Sequence, residues 1–199
     1  MALFSMVLDG HSGLVHPFPF RTRKLSKPTF CVVLHLCAGS TVSCPPYFTM
    51  GCEFCKKVSE RKGVILESKY WIVFLRPDQS YLGRTVIVLK THKSALSKLS
   101  SSEWTDLGVT LKAVENSITC MFGAAMFNLT CQMNDAFKKG KHNPHIHWHL
   151  RPRYEKDVEF AGINFTDPDF GHHYDRTRKD IISDLVFQKI LLKIKKNIK

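Results

Sequence analysis

Three absences set the first limits on this 199-residue chain. No apolar run reaches the roughly 20 residues that a helix needs to cross a bilayer, which excludes a helical membrane span. No segment recurs at a fixed period, which excludes a solenoid or a propeller. Acidic residues are scarce: 17 Asp and Glu stand against 29 Lys and Arg, for a formal charge of +12 and a pI near 9.5. That imbalance points to a polyanionic partner, whether nucleotide, nucleic acid or anionic membrane surface, without choosing among them. The seven cysteines are odd in number and unevenly spaced, so they do not form the framework of a small disulfide-rich secreted domain. Thiols or a metal site in a reducing compartment, the cytoplasm, are the expectation.

Residues 1–49 read differently from the rest. RTRK at 21–24, the apolar TFCVVLHLCA at 29–38 and the small residues Ala38, Gly39 and Ser40 imitate the order of a secretory signal, but far from the N-terminus. The Arg/Ser-rich, amphipathic character of a transit peptide is missing. The expectation is a disordered leader or an over-extended start, with the working protein opening at Met50, one folded domain over 50–156 and an extension over 157–199.

From residue 50 the text becomes regular. GVILESKYWIVFLRP (63–77) predicts two short strands around a turn at Ser68 and Lys69, and RTVIVLK (84–90) a third. Ser100 followed by Glu103 forms a capping box, and Trp104, Leu107, Leu111, Val114, Ile118 and Met121 recur at helical spacing to cover a sheet. AMFNLTCQM (125–133) predicts a fourth strand, NDAFKKGKHNP a polar loop, FAGINFTDPDFGHHYD an irregular segment and SDLVFQKILLKIKKNIK a basic amphipathic helix. The fold class expected is α+β, with an antiparallel half-barrel sheet, a covering amphipathic helix and a C-terminal helix. Cys120 and Cys131 fall in these core elements and read as buried thiols.

The most informative stretch is HNPHIHWHLRPRY, residues 142–154. Strand geometry turns His145, His147 and His149 to one face and Ile146, Trp148 and Leu150 to the other. Three imidazoles in a row could be a metal site, a catalytic row or coincidence. The arginines that follow and the loop Lys138-Lys139-Gly140-Lys141 before them favour chemistry on an anion. A neutral imidazole can act as nucleophile near pH 7 and a protonated neighbour can donate to a leaving group, which suits phosphoryl-type transfer.

These residues resemble the histidine-triad superfamily, whose signature is His-x-His-x-His-x-x with each x apolar. The chain departs from it only at Arg151. The resemblance runs from Cys52 to about Tyr154, taking in the Cys52-Glu53-Phe54-Cys55 start, the strand ending VIVLKTH at His92, the LSSSE helix opening and Asn134-Asp135. It implies a catalytic domain over 50–156 in which His147 attacks the α-phosphorus of a nucleotide. A nucleotidyl-histidine forms and is then resolved by water or another acceptor. By the same resemblance the backbone carbonyl of His145 sets the tautomer of His147, and His149 hydrogen-bonds the phosphate or leaving oxygen. Asn134 contacts phosphate or the leaving group. Arg84 stands where many members carry histidine, and is expected to bind phosphate together with Lys141 and Arg151. Arg76 and Asp78 compete for the place of a ribose-contacting acid.

Cys52 and Cys55 alone would serve a redox pair, a chance pair or half a metal site equally well. In zinc-bearing relatives such a pair is completed by the positions that here hold His92 and His145, which implies a closed structural Cys2His2 site. His172 and His173 lack further ligands nearby and read as surface or packing residues. The expected cofactors are structural zinc and magnesium arriving with the substrate. The expected partners are a nucleotide and a second copy of the chain.

The leading function is hydrolysis of dinucleoside polyphosphates or nucleoside phosphoramidates. One alternative is nucleotidyl transfer to phosphate or a sugar phosphate, against which His149 argues, because the superfamily's uridylyltransferases carry Gln there. A regulator that binds nucleotide or nucleic acid without chemistry is another.

Overall fold

The computed structural model describes residues 51–140 and 142–198, so the expectations for residues 1–50 lie outside the described residues. The chain folds as α1 (Glu53–Glu60), β1 (Val64–Glu67), β2 (Trp71–Leu75), β3 (Thr85–Leu89), α2 (Ser101–Phe122), β4 (Met126–Thr130), β5 (His147–Arg153), β6 (Val158–Phe160), β7 (Ile163–Phe165) and α3 (Asp184–Lys196). Five strands form one antiparallel sheet in the order β1-β2-β3-β5-β4, and β6 and β7 form a separate hairpin. This is the α+β architecture expected.

Every residue of β2 and β3 is buried, because both faces of the sheet are covered. On one face α2 and α3 pack Leu107, Val114, Ile118, Phe187 and Ile190 against Trp71, Val73, Ile87, Ile146 and Leu150. On the other, Phe54 and Val58 of α1 close over Ile72, Phe74, Val86 and Val88. α3 therefore belongs to the main core.

Local chemistry fixes these elements in place. The Ser100–Glu103 capping box forms, and Gly123 ends α2 at φ +72°, a conformation that favours glycine. The β1–β2 turn is tied to α2: Asp106 accepts from the Ser68 hydroxyl and the Tyr70 amide, both at 2.7 Å. Gly83, at φ +80°, brings the backbone so close to Ile118 that an added Cβ would lie 3.2 Å from its methyl, and this sets the start of β3 just after Arg84.

EFCKKVSE forms α1, capped by Cys52, where the sequence predicts no element. The structure departs from sequence expectation in three places: the FAGINF segment forms the β6–β7 hairpin, Asn134–Gly140 winds into a 3-10 helix where a loop is expected, and two cysteines expected in the core lie outside it. Cys120 is exposed, because the buried stripe of α2 runs through Leu107, Thr110, Val114, Ser117 and Ile118 on the opposite side, and Cys131, just past the end of β4, is half-buried rather than sealed in the core. No described helix is long and apolar enough to cross a membrane.

Candidate active site

β5 delivers the histidines as alternation requires. Its register pairs His147 with Val88 and His149 with Val86 and Thr130, so these rings share the α1 face, while Ile146 and Leu150 enter the main core. His145 precedes the strand, with its backbone neighbour Ile146 bonded to Leu89 and Lys93.

The decisive contact is between the first two histidines. His147 Nδ1 lies 2.8 Å from the backbone carbonyl oxygen of His145. A carbonyl can only accept, so Nδ1 carries the proton and Nε2 keeps its lone pair. Phe54 stacks on the same ring at 3.9 Å between centroids, and His149 meets it edge-on at 4.9 Å. Burial holds the pKa of His147 below the ordinary histidine value, with Arg76 acting in the same sense against the bond to His145. The ring is therefore neutral, oriented and stacked.

His149 is held neutral more strongly than its neighbour. Burial, followed by the charges of its neighbours His147, Arg151, Arg76 and Arg84, pushes its pKa down to about 3. In the free protein it is a neutral ring whose buried Nδ1 has no hydrogen-bond partner among the described residues.

All three histidines line a cleft of about 260 Å³, together with Glu53 and Phe54 of α1, Arg76, Gln132 and Asn143. Asn134, expected at the phosphate, is exposed on the 3-10 helix and is not part of this lining. Of the pair considered for ribose, Arg76 lines the cleft, whereas Asp78 turns away to bind Arg84 at 2.5 Å. Arg151 is buried on the face of His149, bonded to Thr130 at 3.2 Å and lying 4.1 Å from the ring of Tyr174. Lys141 lies outside the described residues. Sequence reasoning missed Phe54, Gln132 and Asn143. Phe54 sits inside the CEFC motif and Asn143 two residues before the triad, but neither residue type signals a role by itself. A larger hollow of about 670 Å³, between β4 and residues 171–174, contains none of the triad.

Beside the cleft, Cys52, Cys55, His92 and His145 gather into a cluster whose ligand atoms all lie within 4.8 Å of one another. Nδ1 of His145 is 3.4 Å from Cys52 Sγ, 3.5 Å from Cys55 Sγ and 3.2 Å from His92 Nδ1, and the last is 3.4 Å from Cys55 Sγ. Zinc–sulfur bonds of about 2.3 Å and zinc–nitrogen bonds of about 2.0–2.1 Å at tetrahedral angles put S and N about 3.5 Å apart and two N about 3.3 Å apart. The cluster matches those edges. His145 Nε2–H donates to Leu89 O at 2.7 Å, which leaves its Nδ1 lone pair facing the cluster, as a ligand requires. The four residues thus form a site able to hold a metal ion, and the sequence named all of them.

Comparison with known proteins gives a match to the HIT domain over residues 58–156. An uncharacterised HIT-like protein of Methanocaldococcus jannaschii is 24% identical over 123 residues, 59% of this chain and 93% of that relative. A hypothetical histidine triad nucleotide-binding protein of Sulfolobus tokodaii superposes with TM-score 0.55 at 17% identity, covering 74% of this chain and 91% of that one. A zinc-bound histidine triad family protein of Mycobacterium smegmatis gives 0.50 at 19%, covering 74% and 95%. At these identities the superpositions establish a shared fold.

Proposed function

The chain belongs to the histidine-triad (HIT) superfamily, and on that premise we propose that it is a nucleotide hydrolase acting at the α-phosphate through His147. The observation that carries the reading is the bond from His147 Nδ1–H to the His145 carbonyl, which frees Nε2 of a ring lining the cleft. Nε2 attacks the α-phosphorus, a P–N bond forms and the P–O or P–N bond to the leaving group breaks. Water then attacks the same phosphorus, releasing the nucleoside monophosphate and restoring the free ring. His149, neutral, offers a hydrogen bond to a phosphate oxygen, a use that fits its unpartnered Nδ1.

Zinc fits the Cys52, Cys55, His92 and His145 cluster. All four positions of a tetrahedral ion would be filled by protein, so its contribution is structural, with no open position for water. It would tie the start of α1 to the residue whose carbonyl orients His147. The substrates of the proposal are dinucleoside polyphosphates or nucleoside phosphoramidates, with magnesium accompanying the phosphates. Nucleotidyl transfer is the second reading, because the same intermediate can be resolved by phosphate. Assay of both substrate classes, with and without added phosphate, separates the two. Release of nucleoside monophosphate supports hydrolysis, and a phosphate-dependent nucleoside diphosphate supports transfer.

A further inference from the structure

Two residues beyond the histidines on the same face stands a row of arginines. The register carries Phe74, Val86 and His149 side by side across β2, β3 and β5, then Leu75, Thr85 and Leu150 on the opposite face. The next positions on the histidine face are Arg76, Arg84 and Arg151, and the Arg76 amide bonds the Arg84 carbonyl at 3.1 Å. Neighbouring strands are about 4.8 Å apart, so like charges in such a row repel.

The row is short of counter-charge. Arg84 has Asp78 at 2.5 Å, but its Nε is buried without a partner. Arg151 has the Thr130 hydroxyl and the Tyr174 ring and no carboxylate among the described residues. Among the described residues Arg76 has no side-chain hydrogen bond, and its Nε is also buried and unpartnered.

Arg153, next along β5 on this face, shows how the fold treats a structural arginine. It is fully buried, donating two hydrogen bonds to the Asp167 carboxylate at 2.7 and 3.0 Å, with Asn128 and the carbonyls of His172 and Asp169 taking its other donors. Nothing comparable meets Arg76 or Arg151. Burying an unpaired charge is costly, and an anionic ligand is what relieves it.

We infer that Arg76, Arg84 and Arg151, with Tyr174 stacked behind Arg151, form a subsite for a chain of phosphates continuing from the α-phosphate. The leaving group is then a polyphosphate rather than an amine. This deepens the proposed function and rests on it for the position of the α-phosphate. The row crosses only three neighbouring strands, about 10 Å at the usual strand spacing, a length that suits a compact polyphosphate rather than a nucleic-acid strand, whose binding grooves run further and are lined with stacking aromatics.

The test is calorimetry and thermal melting of the full chain with inorganic tripolyphosphate, orthophosphate and a single-stranded oligonucleotide, on wild type, Arg76→Met and Arg151→Gln. Arg76→Met loses no hydrogen bond, so it keeps the test sound if Arg151→Gln folds poorly. Wild type should bind tripolyphosphate at least tenfold tighter than orthophosphate, with a rise in Tm. Arg76→Met should bind tripolyphosphate at least tenfold more weakly, and its ligand-free Tm should not fall. The ratio of kcat/KM for diadenosine tetraphosphate to that for adenosine phosphoramidate should also drop at least tenfold in the variant. Unchanged tripolyphosphate binding and an unchanged ratio overturn the subsite, and tighter binding of the oligonucleotide overturns its polyphosphate assignment. Loss of tripolyphosphate binding in a protein that turns over neither nucleotide leaves the subsite standing and removes the catalytic reading; turnover with no effect of Arg76→Met does the reverse.

Discussion

At the scale of single residues, the account turns on which nitrogen of His147 is free. The bond to the His145 carbonyl comes from backbone, so substitution at residue 145 need not break it, whereas His147→Ala removes the nucleophile itself. That variant is expected to lose about a thousandfold or more in kcat/KM on any nucleotide substrate, measured by product release under substrate saturation and dilution. His149 supplies a pH signature. Its folded pKa of about 3 lies below the roughly 6.5 of an unfolded histidine. Its contribution is therefore fully present above about pH 6.5 and is lost as pH falls toward 3. In that window the unfolded chain binds a proton that the folded chain refuses, and stability drops by up to about 1.4 kcal/mol per pH unit from this one group. Urea midpoints at pH 7 and pH 5 should show a smaller fall in His149→Gln than in wild type; equal falls would contradict the assignment. The alternation HIHWH made the facing of these rings legible, because period 2 is a backbone property. The neutrality of His149 was not legible, because it depends on α1 and on arginines brought in from other strands.

The elements divide into those with long-range pattern and those without. α2 and the five sheet strands announce themselves through capping, spacing and β-branched runs. α1 does not: in eight residues it carries only Phe54, Cys55 and Val58 toward the protein, too few for a period to emerge. The β6–β7 hairpin has strands of three residues, below the length at which alternation can be read. Both matter to the site. α1 and its cap Cys52 carry half of the metal cluster, so Cys52→Ser should lose bound metal and lower Tm by several degrees, as measured by metal analysis and melting on the same sample; full metal content in that variant would contradict the Cys2His2 set. The segment after β7 is fastened by Asp167, whose side chain and that of Arg153 are almost wholly buried. Asp167→Ala leaves a buried guanidinium unpaired, at a cost of about 3–5 kcal/mol, or a fall in Tm on the order of 10 °C at this size. A fall of only one or two degrees would show that the pair contributes little.

For the molecule as a whole, the excess of positive charge resolves into particular places. Arg153 holds the segment after β7, Arg84 holds Asp78, Arg76 lines the cleft, and Arg151 is buried on the histidine face, neither of the last two in an ion pair among the described residues. Composition points to an anionic partner, but only the sheet register places Arg76, Arg84 and Arg151 in one row, the place the proposal assigns to it. The resemblance implies a homodimer, which we propose for this chain, and β4 is the outer strand of the sheet on the side of the triad. Sedimentation should give twice the chain mass of 22.8 kDa; a monomer at micromolar concentration would remove that element alone. The central claim is tested most directly by rapid acid-free quench and intact-mass measurement of the protein during turnover of a dinucleoside polyphosphate. Wild type should gain the mass of one nucleotidyl group, mapped to His147, and His147→Ala should gain none. Steady turnover by wild type with no adduct at any time point, or an adduct of equal yield in His147→Ala, would contradict the account.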